Sequence, residues 1–272
     1  MSAPAENPHL IGFQGEPGAF SDEAASELLP LAQTRGYRTF AMLIDAVDGS
    51  EVDAALLPIE NSISGQIAPN YDLLWNRPNL SIVDETVHRV VQNLIGIPET
   101  RLDEIVEVRS HPVALDQCDK LFASHPSWQR TIVDDTAGAV REIVAGGDKR
   151  VAAIGSRAAA KRYGAAILAE SVQDNADNFT RFFLIRRGSG WNPKLGRACV
   201  AMVLADRPGS LRDALSVFAD ENLNLRSLVS RPAPDEGPFK YRFYCEIERA
   251  DPDALRRALE RIDGRTRVLG AY

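Results

Sequence analysis

The chain has 272 residues, of which 44% are hydrophobic, and its 31 basic and 38 acidic side chains give a net charge of −7. At about 100–200 residues per domain, this length predicts one large or two modest domains and excludes a mini-protein that depends on disulfides or a structural metal. No apolar stretch reaches the roughly 18 residues of a membrane helix and the start, MSAPAENPHL, lacks signal-peptide features, so we expect a cytoplasmic protein without a membrane partner.

The larger part of the chain alternates apolar strands with helical patterns, which favours an α/β domain with a mostly parallel sheet and crossover helices. The strands are predicted over residues 9–15, 37–41, 53–60, 104–110, 130–135, 150–156 and 180–187. The helices are predicted over residues 21–29, 43–49, 66–76, 111–124, 136–146 and 157–163. Residues 80–97 are apolar and rich in β-formers, so we expect them to cross between two lobes that enclose a ligand-binding cleft.

The stretch GSGWNPKLG is rich in Gly and Pro, so we predict a linker over residues 189–196 that separates a domain at 1–188 from one at 197–272. The second domain follows the ferredoxin-like order βαββαβ. Split near residue 190, the chain carries −9 in its first part and +2 in its second. Neither part has the clustered basic and aromatic residues of a nucleic-acid-binding protein, and an anionic ligand therefore needs a local site.

Several predicted strands end at small hydroxyl residues that begin a helix or turn. These residues are Ser21, Ser62, Ser64, Ser110, Thr136 and Ser156. A helix start presents unpaired backbone N–H groups and a partial positive charge, so several starts that face one cleft hold a multiply negative small molecule without many lysines. The alternative is that each hydroxyl merely caps its own helix.

Individual motif residues leave functional and structural readings open. GEPGAFS (15–21) lets the backbone approach a ligand but lacks the phosphate-loop lysine and the dinucleotide fingerprint. Glu60 ends an apolar strand, where a carboxylate acts as an acid, a base or a buried structural partner. His111 is either a general acid or a fixed helix entry before a proline. Thr180 and Arg181 open an apolar strand, where strand formation and an ion pair are the structural alternatives.

Four motifs occur in the order GEPGAFS, PIENSISG, SHPVALDQC and FTRF, and together they resemble those of the prephenate dehydratases of phenylalanine biosynthesis. The resemblance implies a two-lobed, periplasmic-binding-protein-like catalytic domain. It also implies a lyase that removes the ring hydroxyl and ring carboxylate of prephenate and releases phenylpyruvate, CO2 and water. No metal or redox cofactor is implied.

The resemblance further implies roles for the motif residues. Thr180 is expected to act at the departing hydroxyl, with Glu60 in support. The expected substrate-binding residues, which include three serines of the helix and turn starts, are Ser21, Asn61, Ser62, Ser110, Gln117 and Arg181. Because a threonine hydroxyl is a very weak acid, we interpret Thr180 as an oriented hydrogen-bond donor whose proton transfer is assisted.

Residues 198–272 resemble an ACT domain, a small module that senses amino acids. The implied effector is L-phenylalanine, and the residues that match the ligand-binding turns are Pro208, Gly209, Ser210, Leu211, Ser230, Arg231 and Pro232. The family pattern has Ala at Ser210 and Glu at Val229. Loss of that carboxylate leaves weakened inhibition, or a domain used mainly for dimerisation, as alternatives. Side-by-side pairing of ACT domains implies a homodimer or a dimer of dimers.

Two other functions compete with prephenate dehydration. Arogenate dehydratases perform the same chemistry on a substrate with an amino group in place of the keto oxygen, and the motifs fit both. A non-catalytic small-molecule sensor also suits two lobes around a cleft with an ACT domain. The Thr-Arg-Phe motif at 180–182 favours an enzyme.

Overall fold

We describe the protein from a computed structural model that covers residues 8–188 and 196–272. The elements before the second domain are β1 (Leu10–Gln14), α1 (Phe20–Leu28), β2 (Gln33–Tyr37), α2 (Phe40–Asp48), β3 (Ala54–Asn61), β4 (Gly65–Gln66), α3 (Pro69–Trp75), β5 (Leu80–Arg89), β6 (Asn93–Gly96), β7 (Glu107–Ser110), α4 (Pro112–Asp116), α5 (Asp119–Ser124), β8 (Gln129–Ile132), α6 (Thr136–Gly146), β9 (Val151–Gly155), α7 (Arg157–Tyr163), β10 (Ala166–Ala169) and β11 (Phe179–Arg187). No helix within these two ranges of the chain has both the length and the apolar character needed to cross a bilayer.

These elements build two lobes, each around one sheet, which confirms the predicted two-lobed α/β class. The first sheet has the strand order β2-β1-β3-β11-β5, with β4 paired to β3, and the second has the order β10-β6-β9-β7-β8. β1 runs parallel to β2 and β3, whereas β11 is antiparallel to both of its neighbours. The sheets are therefore mixed rather than mostly parallel, because the chain returns to the first lobe along β11.

Three local predictions differ from the structure. The crossing segment at 80–97 forms two strands, β5 in the first sheet and β6 in the second. The predicted strand at 37–41 spans the end of β2 and the start of α2, because the Thr39 side chain caps that helix. The predicted helix at 111–124 divides into α4 and α5.

The glycine-rich turn before α1 is bound to the second lobe. The Ser156 hydroxyl donates to the Gly18 carbonyl over 2.5 Å, and the Tyr163 hydroxyl donates to the Pro17 carbonyl over 2.9 Å. Gly18 has a φ of +92°, and a Cβ there would lie 2.8 Å from the Ala159 Cα, so only glycine fits. This turn therefore fixes how the lobes approach each other on one side of the cleft.

The second domain has the predicted order βαββαβ. Its elements are β12 (Arg197–Leu204), α8 (Ser210–Asp220), β13 (Asn224–Pro232), β14 (Tyr241–Glu248), α9 (Pro252–Arg261) and β15 (Gly264–Ala271). They form an antiparallel sheet in the order β13-β14-β12-β15. Residues 189–195, which make up most of the predicted linker, lie outside the described residues.

The two faces of this sheet have different partners. Val200 and Met202 of β12 belong to a core with the two helices α8 and α9, whereas Cys199 and Ala201 belong to a core shared with the first lobe. This alternation follows from the two-residue period of a strand. β15 also comes so close to β5 that a Cβ at Gly270 would overlap the Ile82 carbonyl. The second domain is therefore packed against the sheet that carries β11.

Candidate active site

A cavity of about 470 Å³ lies between the two lobes. Its polar lining consists of Gln14, Ser21, Asn61, Ser64, Gln66, Gln92, His111, Gln117, Thr136 and Thr180. Among the residues that the structure describes, no Asp, Glu, Lys or Arg lines this cavity. An anion bound here must therefore be held by hydroxyls, amides, backbone N–H groups and the His111 imidazole rather than by Lys or Arg.

Helix N-termini supply such donors. Phe20 opens α1, Phe40 opens α2 and Thr136 opens α6, and all three residues line the cavity. These helices have 9, 9 and 11 residues, long enough for their first turns to carry a partial positive charge, and the Thr39 and Asp135 side chains accept one N–H each, from Met42 in α2 and from Gly138 in α6. Three of the first turns thus meet at one cavity, which suits a small molecule with more than one negative charge.

Thr180 faces this cavity from β11, directly opposite Asn61 of β3. The Asn61 Nδ2 lies 3.1 Å from the Thr180 Oγ1 and 2.8 Å from the Asn178 Oδ1. Since an amide nitrogen only donates, the Thr180 oxygen accepts this bond and its own O–H is free to donate to a ligand. The geometry therefore suits the predicted donor, and the catalytic role of Thr180 stays a prediction.

A row of side-chain amides continues from Asn61. The Asn178 Nδ2 donates to the Gln117 Oε1 over 2.8 Å, and the Gln117 Nε2 donates to the Ser64 hydroxyl oxygen over 3.4 Å. The Gln92 Nε2 lies 3.5 Å from the same Gln117 oxygen, while the buried Gln92 Oε1 has no partner among the described residues. Sequence analysis missed Asn178 and Gln92, although an amide that interrupts an apolar segment is a usable signal.

The three serines predicted to bind substrate do not share one location. Ser21 lines the cavity from the first turn of α1. The Ser62 hydroxyl donates to the Asp177 carbonyl over 2.9 Å, and the fully buried Ser110 hydroxyl donates to the Ile154 carbonyl over 2.7 Å. Neither Ser62 nor Ser110 lines the cavity. The structure thus places these two hydroxyls on backbone carbonyls of neighbouring segments, and their role in substrate binding stays a prediction.

Glu60 and Arg181 lie on the opposite face of the sheet from the cavity. They are paired in register on β3 and β11, one residue away from the pair formed by Asn61 and Thr180. Because successive side chains of a strand point to opposite faces, Thr180 faces the cavity while Arg181 faces the second domain. Neither Glu60 nor Arg181 lines the cavity: the two side chains form an ion pair within the first lobe, and Arg181 also binds Glu246 of the second domain. The roles of Glu60 in catalysis and of Arg181 in substrate binding therefore stay predictions.

Arg181 is buried among carboxylates from both domains. It binds Glu246 of β14 through two bonds of 2.7 and 2.8 Å, Glu60 at 2.9 Å and Glu85 at 3.3 Å. Burial acts to lower the pKa of Arg181, but the hydrogen bonds and charges of Glu246 and Glu60 outweigh it and raise that pKa above its usual value. Arg181 therefore stays charged and joins the catalytic sheet to the second domain.

The predicted effector residues fall into two groups. Gly209, Ser210 and Leu211 line a second cavity of about 490 Å³, together with Tyr241 and Phe243 of β14. Pro208 is not part of this lining. One predicted segment therefore borders a cavity in the second domain.

The other segment, on β13, does not reach that cavity within one chain. Ser230 and Pro232 are paired in register with Phe243 and Tyr241, whereas the Arg231 Nε donates to an Asp72 carboxylate oxygen over 2.9 Å. Val229, the position where the family pattern has Glu, is 7% exposed and belongs to the apolar core shared with the first lobe. The structure therefore uses Val229 and Arg231 at the interdomain contact.

His88 is a buried histidine whose pKa is changed by two neighbouring carboxylates. It is buried on β5, with one ring nitrogen 3.3 Å from a Glu23 oxygen and the other 2.9 Å from a Glu27 oxygen. Burial acts to lower the pKa of His88, but the hydrogen bonds to Glu23 and Glu27 and their charges leave it above its usual value. A raised folded-state pKa stabilises the fold below the usual histidine pKa, and this contribution is lost as the pH rises through the raised value.

We therefore expect His88→Gln to lower the melting temperature most in mildly acidic buffer, with a smaller difference from the parent chain at alkaline pH. Thermal unfolding of both proteins across a pH series measures this difference. A gap that widens as the pH rises would contradict the assigned direction.

Known proteins similar to this chain match the family that the sequence motifs resemble. The family model described as Prephenate dehydratase matches residues 11–189, and the ACT domain model matches residues 200–264. The chain is 36% identical over 277 residues to "Arogenate dehydratase/prephenate dehydratase 2, chloroplastic" of Arabidopsis thaliana, which covers 96% of this chain and 72% of that relative.

Two solved structures are similar over nearly the whole chain. A prephenate dehydratase in complex with L-Phe from Arthrobacter aurescens superposes with a TM-score of 0.88 at 27% identity, over 96% of this chain and 89% of that chain. A structure described as GqqA, a novel type of quorum quenching acylase, has a TM-score of 0.86 at 31% identity, over 96% of each chain.

Proposed function

Because this chain belongs to the prephenate dehydratase family and carries an ACT domain, we propose that it converts prephenate to phenylpyruvate, CO2 and water. The observation that carries this proposal is the cavity between the lobes. There, helix starts meet a lining that has no Asp, Glu, Lys or Arg in the described part of the chain. The Thr180 hydroxyl, whose oxygen already accepts a bond from Asn61, is left to donate.

The reaction requires a donor at the leaving group and little other assistance. The ring carboxylate leaves as CO2, the electron pair of its broken C–C bond enters the ring, and the departing hydroxide takes up one proton to become water. Aromatisation drives this step. A neutral O–H donor at Thr180 stabilises the charge that develops on the departing oxygen, and helix starts bind the carboxylates without an ion pair that would favour the ground state.

The absence of acidic side chains from the described cavity lining favours prephenate over arogenate. Arogenate carries an ammonium group where prephenate has a keto oxygen, and a buried ammonium needs an anionic partner. We therefore expect kcat/KM for prephenate to exceed that for arogenate by about tenfold or more.

Parallel assays test this proposal. Purified protein is mixed with prephenate and the phenylpyruvate formed is followed by its alkaline absorbance, while arogenate is assayed by the phenylalanine formed. A preference for arogenate would reverse the substrate assignment. Stoichiometric binding of prephenate without turnover would instead favour a non-catalytic sensor.

We also propose feedback control by phenylalanine within a homodimer or a dimer of dimers, in the cytoplasm. The outer strand β13 of the ACT sheet carries Ser230 and Pro232, and such an edge is available for pairing with a second chain. Such pairing would allow a second copy of the chain to complete the cavity that Gly209 lines. The three cysteines are free and buried, which suits a reducing compartment. Sedimentation and phenylalanine titration of the assay test these proposals.

A further inference from the structure

We infer that Glu246, in the ACT domain, is a positioning residue for the catalytic strand β11 and links the effector cavity to Thr180. This inference rests on the proposed function. Glu246 itself lies on the opposite side of the sheet from the substrate cavity, so it acts through Arg181.

The contact between Glu246 and Arg181 is closely defined. Two parallel bonds of 2.7 and 2.8 Å join the groups, and each side chain is only 5% exposed. The Tyr71 hydroxyl also donates to the Glu246 Oε1 over 2.5 Å, and burial followed by the charge of Glu246 raises the pKa of Tyr71, so this donor keeps its proton. A bidentate, buried pair of this kind fixes direction as well as distance.

The position of Arg181 determines that of Thr180. The two residues are neighbours on β11, with Cα atoms about 3.8 Å apart, and the strand is paired at both residues with β3 on one side and β5 on the other, so a displacement of Arg181 is passed to Thr180. Thr180 must keep its register opposite Asn61 for the hydroxyl to be held at 3.1 Å from the amide. A shift of Glu246 therefore changes the direction in which Thr180 donates.

The strand that carries Glu246 also reaches the effector cavity. Tyr241 and Phe243 of β14 line the 490 Å³ cavity, and Glu246 lies three residues beyond Phe243 on the other face of the same strand. A ligand that displaces the start of β14 thus acts on Arg181 through one continuous strand. The route from the effector cavity to Thr180 therefore passes through one strand and one ion pair.

The test uses the full chain with Glu246→Gln, which keeps shape but removes the charge. We expect kcat for prephenate to fall about tenfold with KM changed less than about threefold, because the hydroxyl is misdirected while the cavity is intact. Phenylalanine should still bind by calorimetry but should change the rate less than in the parent chain. Tyr71→Phe, which removes one bond to Glu246, should give a smaller change in the same direction.

Asp72→Asn is the matched control at the same interface. Asp72 accepts bonds from Arg231 at 2.9 Å and from Tyr244 at 2.7 Å, whereas the hydrogen-bond partners of Arg181 among the described residues are Glu60, Glu85 and Glu246. We expect this variant to keep kcat within about twofold, since it loosens the interface without touching β11. Equal losses in Asp72→Asn and Glu246→Gln, or parent-like kcat in Glu246→Gln, would overturn the inference. A parent chain that converts neither substrate would overturn the proposed function and this inference together.

Discussion

Thr180→Val lowers kcat for phenylpyruvate formation by about 100- to 10,000-fold, the range expected when a positioned proton or hydrogen-bond donor is lost. Valine matches threonine in shape and in its preference for a strand, so the variant removes the hydroxyl without opening a cavity. The substrate remains bound by helix starts and amides that the change leaves in place, so KM should move far less than kcat.

Two variants serve as controls for this result. Thr180→Ser keeps the O–H and should retain most of the rate. Thr34→Val makes the same change on the outer strand β2, away from the cavity lining, and should behave like the parent chain. Comparable turnover in Thr180→Val and in the parent chain, with both folded by circular dichroism, would remove Thr180 from the reaction.

Arg181→Met destabilises the protein by about 3–5 kcal/mol, because Glu246, Glu60 and Glu85 lose the cation on which they converge. The cost arises mainly from Glu246 and Glu60, which lose their cation, rather than from the net value of the ion pair, since Glu85 keeps Arg197 as a partner. Urea unfolding measures the change, with fluorescence and circular dichroism compared to establish that both domains unfold in one transition.

A double variant separates the two contributions. Arg181→Met combined with Glu246→Leu removes the most buried carboxylate as well, so it should recover part of the lost stability. Arg101→Met is the surface control, since Arg101 and Asp103 pair with 70% and 69% of their side chains exposed. This control should change stability by less than about 1 kcal/mol. A loss in Arg181→Met no larger than in Arg101→Met would contradict the buried network.

Local patterns in the sequence were sufficient to predict much of the fold. The alternation of apolar strands and helices led to the two-lobed α/β class, and strand and helix periods in the last 75 or so residues led to the order βαββαβ. The helices α6 and α7 begin and end at the predicted residues because Asp135 and Ser156 cap their first turns and glycines end both helices. These signals are short-range, and the structure retains them.

The location of single side chains was harder to predict. A hydroxyl before a helix has the same sequence signature whether it faces a ligand or a carbonyl, and Ser62 and Ser110 turned out to bind the backbone. Gln92 lines the cavity, and the buried Asn178 joins the lining residues Asn61 and Gln117, because the chain crosses between the lobes, which no local pattern encodes.

The sequence by itself determined the family and the order of its motifs, which placed both Thr180 and Arg181 at the site. Because a strand has a period of two, these neighbouring side chains lie on opposite faces of the sheet. Only the tertiary structure decided which of them meets the cavity and which meets the ACT domain. That choice depends on the packing of β14 against β11, where Glu246 lies more than 60 residues from Arg181 in the chain. Contacts over such separations arise from how whole sheets pack together, and local sequence does not specify them.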